Sequence, residues 1–393
     1  LAAAPASPPA TPDSKTRQPG RSSWQDASIC LVDVFLGPGR GRSSKFGGTE
    51  RLRPASNESR RPAKGGPQTT VGENMTLDPE LQQHPSGLII VGHQSELGAA
   101  EIRRRFRAGF LVRVRKGMYI RKANWTRSQL YRLRATAAGL AHADAVVTGP
   151  GAAALQRISH LYPDDMVIDV FTPRGHGSRT SGFVHLIHGH AVEDTVDVDS
   201  VRATPPAKTA IETALLHGSR DGLVVAESAL WNGRSTIAGL ERELAKTENR
   251  KGRMAARFVV DVASDRSQSP GESLTSWCIR QAKLPEPLQQ VEIVDEKGNF
   301  VAKVDFFWPE TGVIVEFDGD VKTSGIYGDP FEIARAQLAR DAALTNLGMR
   351  ILHVKWAEVF SGAGIKTIRE FYEHFAKLGG GYLGGWRLAD LKR

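Results

Sequence analysis

The residues most able to do chemistry are acids in the stretch 303–318, which reads KVDFFWPETGVIVEFD. Its alternation of apolar and polar residues predicts two short strands joined by a turn at 309–312. This register sets Asp305 directly across from Glu316. The Cβ atoms of such a pair lie about 5 Å apart, and like charges there destabilise a sheet. Because a divalent cation or a retained proton relieves this repulsion, the pair predicts a metal site.

The two faces of this hairpin differ in character. Five apolar residues share one face: Phe306, Trp308, Val313, Val315 and Phe317. The other face carries Lys303, Asp305, Ile314, Glu316 and Asp318. Two interpretations are open for the acids, a metal site or a solvated surface whose charge Lys303 and Arg340 balance. The metal site is favoured because isolated hairpins seldom place acids opposite each other.

A further acid lies where the C-terminal domain begins. The sequence Ser-Pro-Gly-Glu at 269–272 has a capping residue, a proline at the first helical position and a glutamate three residues after the cap, which is typical of a helix start. Glu272 either caps this helix alone or also supports a metal. Downstream we expect a strand at 291–294, the acidic hairpin, a helix over about 331–347 and a strand at 350–354. The expected order is α-β-β-β-α-β.

This order of elements resembles the restriction-endonuclease-like fold. Five motifs agree in order and spacing over roughly 269–360: Ser-Pro-Gly-Glu, Val-Asp-Phe, Val-Glu-Phe-Asp-Gly, Arg340-Asp341 and the closing Met-Arg-Ile-Leu-His-Val. Together they resemble an uncharacterised group related to very-short-patch repair endonucleases. The resemblance implies hydrolysis of DNA phosphodiester bonds assisted by Mg²⁺ or Mn²⁺. It implies Asp305 and Glu316 as metal ligands, with Glu272 as a third ligand through water.

The chain departs from this family at one position. The family has a lysine two residues after the strand glutamate, where this chain has Asp318. Asp318 is either a further ligand or the partner of Lys303, which the register sets opposite it. Two cations are candidates to replace the missing lysine at the phosphate, Lys303 and Lys322. Arg340 is a candidate phosphate-binding group, and Asp341 is expected to pair on its own helix.

A strongly basic segment precedes the middle of the chain. Residues 99–108 predict a helix, and 111–120 predict a hairpin with its turn at Lys116-Gly117. A helix followed by a hairpin is the second half of a winged helix-turn-helix. Nine basic residues lie here: Arg103, Arg104, Arg105, Arg107, Arg113, Arg115, Lys116, Arg121 and Lys122. Arg103 and Arg107 share one helical face, so a surface for DNA phosphates is favoured over a merely solvated helix.

The middle of the chain predicts an α/β domain. Helices are expected at 128–142, 207–217 and 223–230, and strands at 167–171 and 183–187. Four histidines lie near each other in sequence: His176, His185, His188 and His190. They lack the two-residue or four-residue spacing of helical ligands, so a metal site is not predicted there. Residues 77–245 loosely resemble the abortive-infection type IV antitoxin family, which implies a nucleotidyltransferase-type toxin as partner.

Chain length and composition give the domain plan. With 393 residues the chain can hold two or three domains, and its fold class is expected to be mixed α/β. The expected division is a disordered basic tail at 1–75, a winged helix-turn-helix at 76–125, an antitoxin-like α/β domain at 126–250, a linker at 251–268, a restriction-endonuclease-like domain at 269–376 and a C-terminal tail at 377–393.

Cysteine usage and hydropathy give the expected location. Two cysteines, Cys30 and Cys278, exclude a disulfide framework and suit a reducing interior. No apolar run approaches the roughly 20 residues of a membrane-spanning helix. We therefore expect a cytoplasmic DNA-binding protein with a Mg²⁺-dependent endonuclease domain, acting in defence, repair or a toxin–antitoxin pair. The alternatives are a non-catalytic, antitoxin-like autorepressor with a degenerate nuclease fold, and a dimerising scaffold.

Overall fold

Helices and strands alternate along the chain, and the strands collect into three sheets. The computed structural model describes residues 81–142, 144–189, 192–319 and 330–390. The mixed α/β class expected from the sequence is confirmed. No helix within these ranges is both long and apolar enough to cross a membrane.

The first sheet belongs to the basic segment. Its elements are β1 (Ile89–Ile90), α1 (Glu96–Arg107), β2 (Leu111–Arg115) and β3 (Met118–Arg121), in the strand order β1-β3-β2. Gly117, at φ +79°, turns the chain between β2 and β3, a conformation that favours glycine. The expected helix and hairpin are therefore present. A three-residue 3₁₀ turn precedes α1, so the described residues of this segment hold one α-helix and a three-stranded antiparallel sheet.

The second sheet forms the middle of the chain. Its strands are β4 (Val146–Val147), β5 (Ile168–Thr172), β6 (Ser178–Ser181), β7 (Val184–His188), β8 (Val196–Val198) and β9 (Val201–Ala203), in the order β6-β7-β5-β4-β9-β8. The helices are α2 (Arg127–Leu140), α3 (Gly149–Leu155), α4 (Pro206–His217), α5 (Ser219–Trp231), α6 (Ile237–Ala245) and α7 (Arg253–Val262). Each helix and strand predicted here is present, although the structure extends or trims its ends.

One expectation for this region is wrong. Residues 251–268 are not a simple linker, because α7 lies within them. Ala256, Val259 and Val260 of this helix are buried in one core with residues of α4 and α5. Their spacing puts all three on one helical face, so the segment is part of the folded middle region.

The third sheet carries the acidic hairpin. Its elements are α8 (Pro270–Gln281), β10 (Leu288–Val294), β11 (Phe300–Trp308), β12 (Val313–Asp318), α9 (Pro330–Asn346), β13 (Arg350–Lys355), α10 (Trp356–Ser361), α11 (Gly364–Leu378) and β14 (Gly385–Leu388). The strand order is β13-β12-β11-β10-β14, with β12 and β13 parallel and the other pairs antiparallel. The expected α-β-β-β-α-β order is present.

The last of these strands corrects another expectation. Residues 377–393 are not simply a tail, because β14 pairs with β10 along the edge of the sheet. The contact continues past the strand, where the Ala389 amide donates to the Gln290 carbonyl (3.1 Å). The edge of β10 is therefore covered.

Helices cover both faces of the third sheet. On one face, Leu274 of α8 and Ile368 of α11 share a core with Phe306 and Val315. On the other face, Leu344 of α9 lies in a core with strand residues that include Ile314. The apolar side of the hairpin predicted from the sequence is confirmed, but its second side is covered as well.

Strand β11 changes face at Asp305. Before this residue, Val304 lies in the core beneath α9, and after it, Phe306 lies in the core beneath α8. Strict alternation would put residues 304 and 306 on the same side of the sheet. The predicted alternation therefore fails at Asp305.

The neighbouring strand β10 has a matching irregularity. The ladder pairs Gln289↔Phe306 and Val291↔Val304 flank Gln290, which has φ +55°. A left-handed φ is uncommon for a residue with a Cβ atom. Gln290 and Asp305 thus lie opposite each other where both strands change face. This irregularity positions the candidate site.

Candidate active site

Glu272 lies in the first turn of α8, three residues after the N-cap residue Ser269. Its amide donates to Ser269 Oγ (3.2 Å), and its Oε1 accepts from the Ser269 hydroxyl (2.8 Å). Its Oε2 accepts from the Gln268 amide (2.9 Å). The predicted helix start with Ser269 as its cap is confirmed, while the Glu272 carboxylate binds the amide of the residue before the cap.

Gln290 joins Glu272 to Asp305. Its Nε2 donates to Glu272 Oε2 (3.0 Å) and to Asp305 Oδ1 (3.1 Å), while its Oε1 accepts from Gln268 Nε2 (3.1 Å). One amide nitrogen therefore holds one oxygen of each carboxylate, and the two acids converge. The sequence interpretation missed Gln290. Two consecutive glutamines in an otherwise largely apolar strand were the available signal.

Asp305 is also tied to the next strand. Its Oδ2 accepts from the Phe317 amide (3.0 Å). The predicted hairpin register is confirmed, but its ladder ends at Phe306↔Val315, one step before Asp305 and Glu316. The hydrogen bonds of Gln290 bring Asp305 together with Glu272, whereas the sequence predicted that Asp305 would form a close pair with Glu316.

The two linked acids repel each other. Burial and the charge of Asp305 raise the pKa of Glu272 to about 8, while Lys303 acts in the opposite direction. Like charges held together in a partly buried site disfavour the ionised form. A proton or a divalent cation would therefore relieve the repulsion between Glu272 and Asp305.

Glu316 is held by a different partner. Arg340 of α9 donates Nη1 to Glu316 Oε2 (2.8 Å) and Nη2 to Glu316 Oε1. The same Nη2 donates to the Lys303 carbonyl (2.8 Å). Glu316 is only 5% exposed, so it is not a solvated surface acid, although Arg340 balances its charge as that interpretation expected. Burial lowers the pKa of Arg340, but the charge and hydrogen bonds of Glu316 outweigh this effect and raise it.

A second layer of polar side chains adjoins this ion pair. His353, the ladder partner of Glu316 on β13, has its Nε2 2.9 Å from Asp341 Oδ2 and its Nδ1 3.8 Å from Glu316 Oε2. Gln337 donates to Asp341 Oδ1 (3.0 Å). Asp341 thus pairs on its own helix, as predicted, and also reaches β13.

The candidate cations and Asp318 are distributed differently from the prediction. Lys303 is paired in the ladder with Glu292 of β10, and Asp318 with Lys355 of β13. The ladder between β11 and β12 keeps the predicted register but ends at Phe306↔Val315, so it does not extend to Lys303 and Asp318. Lys303 still acts electrostatically on Glu272. Lys322 lies outside the described residues.

The number and position of the acidic side chains decide whether they suit a divalent cation. Among the described residues, no three His, Cys, Asp or Glu side chains are close enough together to hold a metal. Glu272 and Asp305 nevertheless offer two oxygens that converge on one amide. Mg²⁺ commonly takes one or two protein carboxylates and completes its shell with waters and substrate phosphate. These two residues therefore fit such a cation, with Glu316 engaged by Arg340.

The basic segment exposes most of its cations. The exposed ones are Arg103, Arg104, Arg107, Arg113, Lys116, Arg121 and Lys122. Arg105 is buried and pairs with Glu101 (2.5 Å), so it is not part of this surface. Hydrogen bonds from Arg104 and Arg105 lower the pKa of Glu101 to about 2. Arg115 is half-buried, with its Nη2 3.4 Å from His142 Nε2.

The histidines of the middle sheet have separate partners. His185 Nδ1 lies 2.7 Å from Asp169 Oδ1, and His217 Nε2 lies 2.7 Å from Asp169 Oδ2. His188 Nδ1 contacts the Thr172 hydroxyl (2.9 Å), and His190 lies outside the described residues. Burial raises the pKa of Asp169, but the two histidines outweigh this and lower it. The sequence interpretation did not find this His-Asp-His cluster, since its members come from three separate elements.

Comparison with known proteins gives distant relatives. No family model matches the chain. Two proteins of Mycobacterium tuberculosis are similar to it, "Uncharacterized protein MT2308" of strain CDC 1551 / Oshkosh and "Uncharacterized protein Rv2248" of strain ATCC 25618 / H37Rv. Each is 28% identical over 219 residues, which covers 55% of this chain and 78% of the relative. Their names describe no activity, so a function must be argued from the residues.

Proposed function

We propose that this chain binds DNA and hydrolyses its phosphodiester bonds with the help of a divalent cation, Mg²⁺ or Mn²⁺. The observation that carries the proposal is the convergence of Glu272 and Asp305 on Gln290 Nε2. Two acids that are held by one amide, with the pKa of Glu272 raised by burial and by the charge of Asp305, mark a candidate functional site.

Each residue of the candidate site has its own proposed role. Glu272 and Asp305 would hold the cation, and Gln290 keeps their oxygens together. A bound cation polarises the scissile phosphate and lowers the pKa of an attacking water. Lys303 is the candidate for the family's missing lysine, because its charge already acts on Glu272. The paired N–H groups of Arg340 are of a kind that matches phosphate oxygens, but Glu316 and the Lys303 carbonyl engage them in this structure.

The basic segment supports DNA as the substrate. Its exposed cations lie on α1, on the β2–β3 hairpin and at the residue after it, a density of charge that is typical of a phosphate-binding surface. Such a surface binds the DNA backbone irrespective of sequence and raises the local concentration of substrate. We infer that the winged-helix half contacts DNA while the third sheet carries the chemistry.

Two observations favour a second function, in which the chain does not hydrolyse DNA. Glu316 is neutralised by Arg340, and Asp318 replaces the family's lysine. Both observations favour a degenerate nuclease fold in an antitoxin-like autorepressor, whose partner would be a nucleotidyltransferase-type toxin. In that case DNA binding persists and hydrolysis is absent.

Plasmid conversion separates the two functions. Supercoiled plasmid is incubated with the full chain and Mg²⁺ or Mn²⁺, beside Asp305→Asn and Glu272→Gln variants. We expect each variant to lower the rate at least about 100-fold, since even outer partners of metal ligands cost 10–100-fold. The control is Glu370→Gln, an exposed acid on α11. Equal conversion by all four proteins would assign the activity to a contaminant and leave the autorepressor.

A further inference from the structure

Two exposed phenylalanines lie among the cations of the basic segment. Phe106 of α1 is 38% exposed, and Phe110, between α1 and β2, is 51% exposed. Residues 103–110 read RRRFRAGF, so the aromatic residues alternate with arginines. A single exposed apolar residue is ordinary on a protein surface. Two aromatic rings within a cluster of positive charge favour a partner that offers both negative charge and flat apolar faces.

The backbone fixes Phe110 where α1 ends. Its amide donates to the Arg105 carbonyl (3.0 Å), and the Gly109 amide donates to the Phe106 carbonyl (3.1 Å). These two bonds close a helix whose next residue has a left-handed φ, and Gly109 has φ +79°. The Phe110 carbonyl accepts from the Lys122 amide (2.9 Å). Phe110 is therefore held between the helix and the hairpin, next to the exposed Lys122.

The hairpin contacts the ring of Phe106. Tyr119 of β3 meets this ring edge-on, with the ring centroids 5.2 Å apart and an angle of 61° between the planes. Arg113 of β2, the ladder partner of Tyr119, has its Cζ 6.0 Å from the centroid of Phe106. The Arg113 side chain is exposed. An exposed ring bordered by a guanidinium is typical of surfaces on which nucleic-acid bases stack.

We propose that this surface, formed by Phe106 and Phe110 with Arg103, Arg107 and Arg113, binds single-stranded DNA by stacking its rings on unpaired bases. The inference rests on the proposed function, because it names the form of DNA that the basic segment binds. In a duplex each base is covered by its neighbours, so a phenyl ring reaches a base only where the strand is unpaired or a step is opened. The surrounding arginines bind the phosphates of the same strand.

The surface is tested by the fluorescence anisotropy of a labelled oligothymidine strand and of a labelled duplex of equal length. The full chain is used with EDTA, so that no strand is cut. Phe106→Leu and Phe110→Leu keep an apolar side chain and remove the ring. We expect each to weaken binding of the single strand at least about fivefold, the lower end of what stacking contributes per base, and to leave duplex affinity unchanged. The matched control is Leu97→Ala, at a residue of the same helix that is 80% exposed; it should keep both affinities.

An abasic strand separates base stacking from a general disturbance of the surface. It carries the same phosphates without bases, so the wild type and both phenylalanine variants should bind it equally. The slope of log affinity against log salt should also stay at its wild-type value in these variants, because stacking releases no counterions. An equal loss of affinity for the abasic and the normal strand would overturn the proposal.

The remaining outcomes distinguish this proposal from the proposed function. Wild-type affinity for the single strand in both phenylalanine variants overturns base stacking and leaves DNA binding intact. Tighter binding of the matching ribonucleotide strand would assign the surface to RNA and overturn the proposal. Loss of a dimer in these variants, with DNA affinity unchanged, would do the same by assigning the rings to a second copy of the chain. Absence of binding to every strand and duplex by the wild type overturns this proposal together with the proposed DNA binding.

Discussion

Glu227 of α5 shows how a single buried acid can make stability depend on pH. Its side chain is fully buried, and its Oε1 accepts from the Ser264 amide (3.2 Å). Burial raises the pKa of Glu227 to about 7, against the lowering effect of the Ser267 and Ser273 hydroxyls. A raised pKa means that the folded state holds this proton more tightly than the unfolded state does. The contribution of Glu227 to the free energy of unfolding is therefore complete below the ordinary pKa of glutamate, and it is lost as the pH rises to about 7.

We predict that Glu227→Gln removes this dependence. The wild type should lose roughly 2–3 kcal/mol of unfolding free energy between pH 4.5 and pH 7.5 from this group, because each unit of pKa shift corresponds to about 1.4 kcal/mol. The variant should gain relative to the wild type over that range. Urea denaturation at several pH values measures the difference. Glu241→Gln, at an exposed acid of α6, should follow the wild type, and a parallel curve for Glu227→Gln would contradict the assignment.

At the scale of single residues, roles that depend on neighbouring positions in the sequence were predicted, and roles that depend on distant contacts were not. Glu272 was recognisable because a capping box lies within four residues of sequence. The paired glutamines marked the position of Gln290, but its role could not be predicted, because it depends on a left-handed φ inside a strand. The pairing of Arg340 with Glu316 depends on how α9 lies on the sheet, which the sequence of α9 alone does not reveal.

At the scale of elements, the closest packing in the third sheet lies beneath the start of α8. A Cβ atom built on Gly271 would lie 2.1 Å from the ring of Phe317 on β12. Gly271 is therefore required by the close approach of the helix and the strand. The same approach brings the neighbouring Glu272 within reach of Gln290.

We predict that Gly271→Ala lowers both stability and activity. Overpacking should cost about 1–3 kcal/mol, which exceeds the gain of up to about 1 kcal/mol from better helix propensity. Thermal unfolding measures the first effect, and plasmid conversion measures the second. The control is Gly381→Ala, where a Cβ atom would meet nothing within 4 Å. An unchanged melting temperature in Gly271→Ala would show that Phe317 moves aside at little cost.

A second prediction at the scale of elements concerns α1 and the β2–β3 hairpin. The double variant Arg103→Ala, Arg107→Ala should weaken DNA binding and lower the slope of log affinity against log salt by about 2, since each lost phosphate contact contributes about 1. Gel shifts at several salt concentrations measure this slope. Arg257→Ala on α7, at a half-exposed arginine, should keep the wild-type slope. An unchanged slope in the double variant would remove these two residues from the DNA surface.

The sequence predicted the helices and strands whose apolar residues recur with a clear period. It missed the elements that are stabilised mainly by packing or pairing with distant parts of the chain. The hairpins predicted at 111–120 and 303–318 were found from alternation and glycine turns. Helix α7 was assigned to a linker because basic and glycine residues precede it, although seven of its ten residues are apolar. Strand β14 was assigned to a tail because a short edge strand derives its stability from its partner and not from its own composition.

At the scale of the whole molecule, the middle region and the third sheet share an interface. Trp277 of α8 packs against the cores of both regions, and its Nε1 donates to the Ser219 hydroxyl (3.3 Å). Arg220 donates to the Phe360 carbonyl (3.1 Å) and stacks on the Phe360 ring, 5.0 Å from its centroid. These contacts tie the start of α5 to α8 and α10.

We predict that these two regions unfold as one unit. Scanning calorimetry of the wild type should show a single transition for them, and Trp277→Ala should split it in two, because the variant removes a side chain shared by both cores. Trp386→Ala, at a partly exposed residue of β14, should leave the two regions unfolding together. Two separate transitions in the wild type itself would contradict the shared interface.

The hydrogen bond from Ala389 to Gln290 has a genetic consequence. A premature stop codon after residue 384 would leave the codons of all three acids intact. It would nevertheless delete the backbone that supports Gln290 and the strand that shields β10. A truncation at the far end of the reading frame should therefore produce the phenotype of a site mutant.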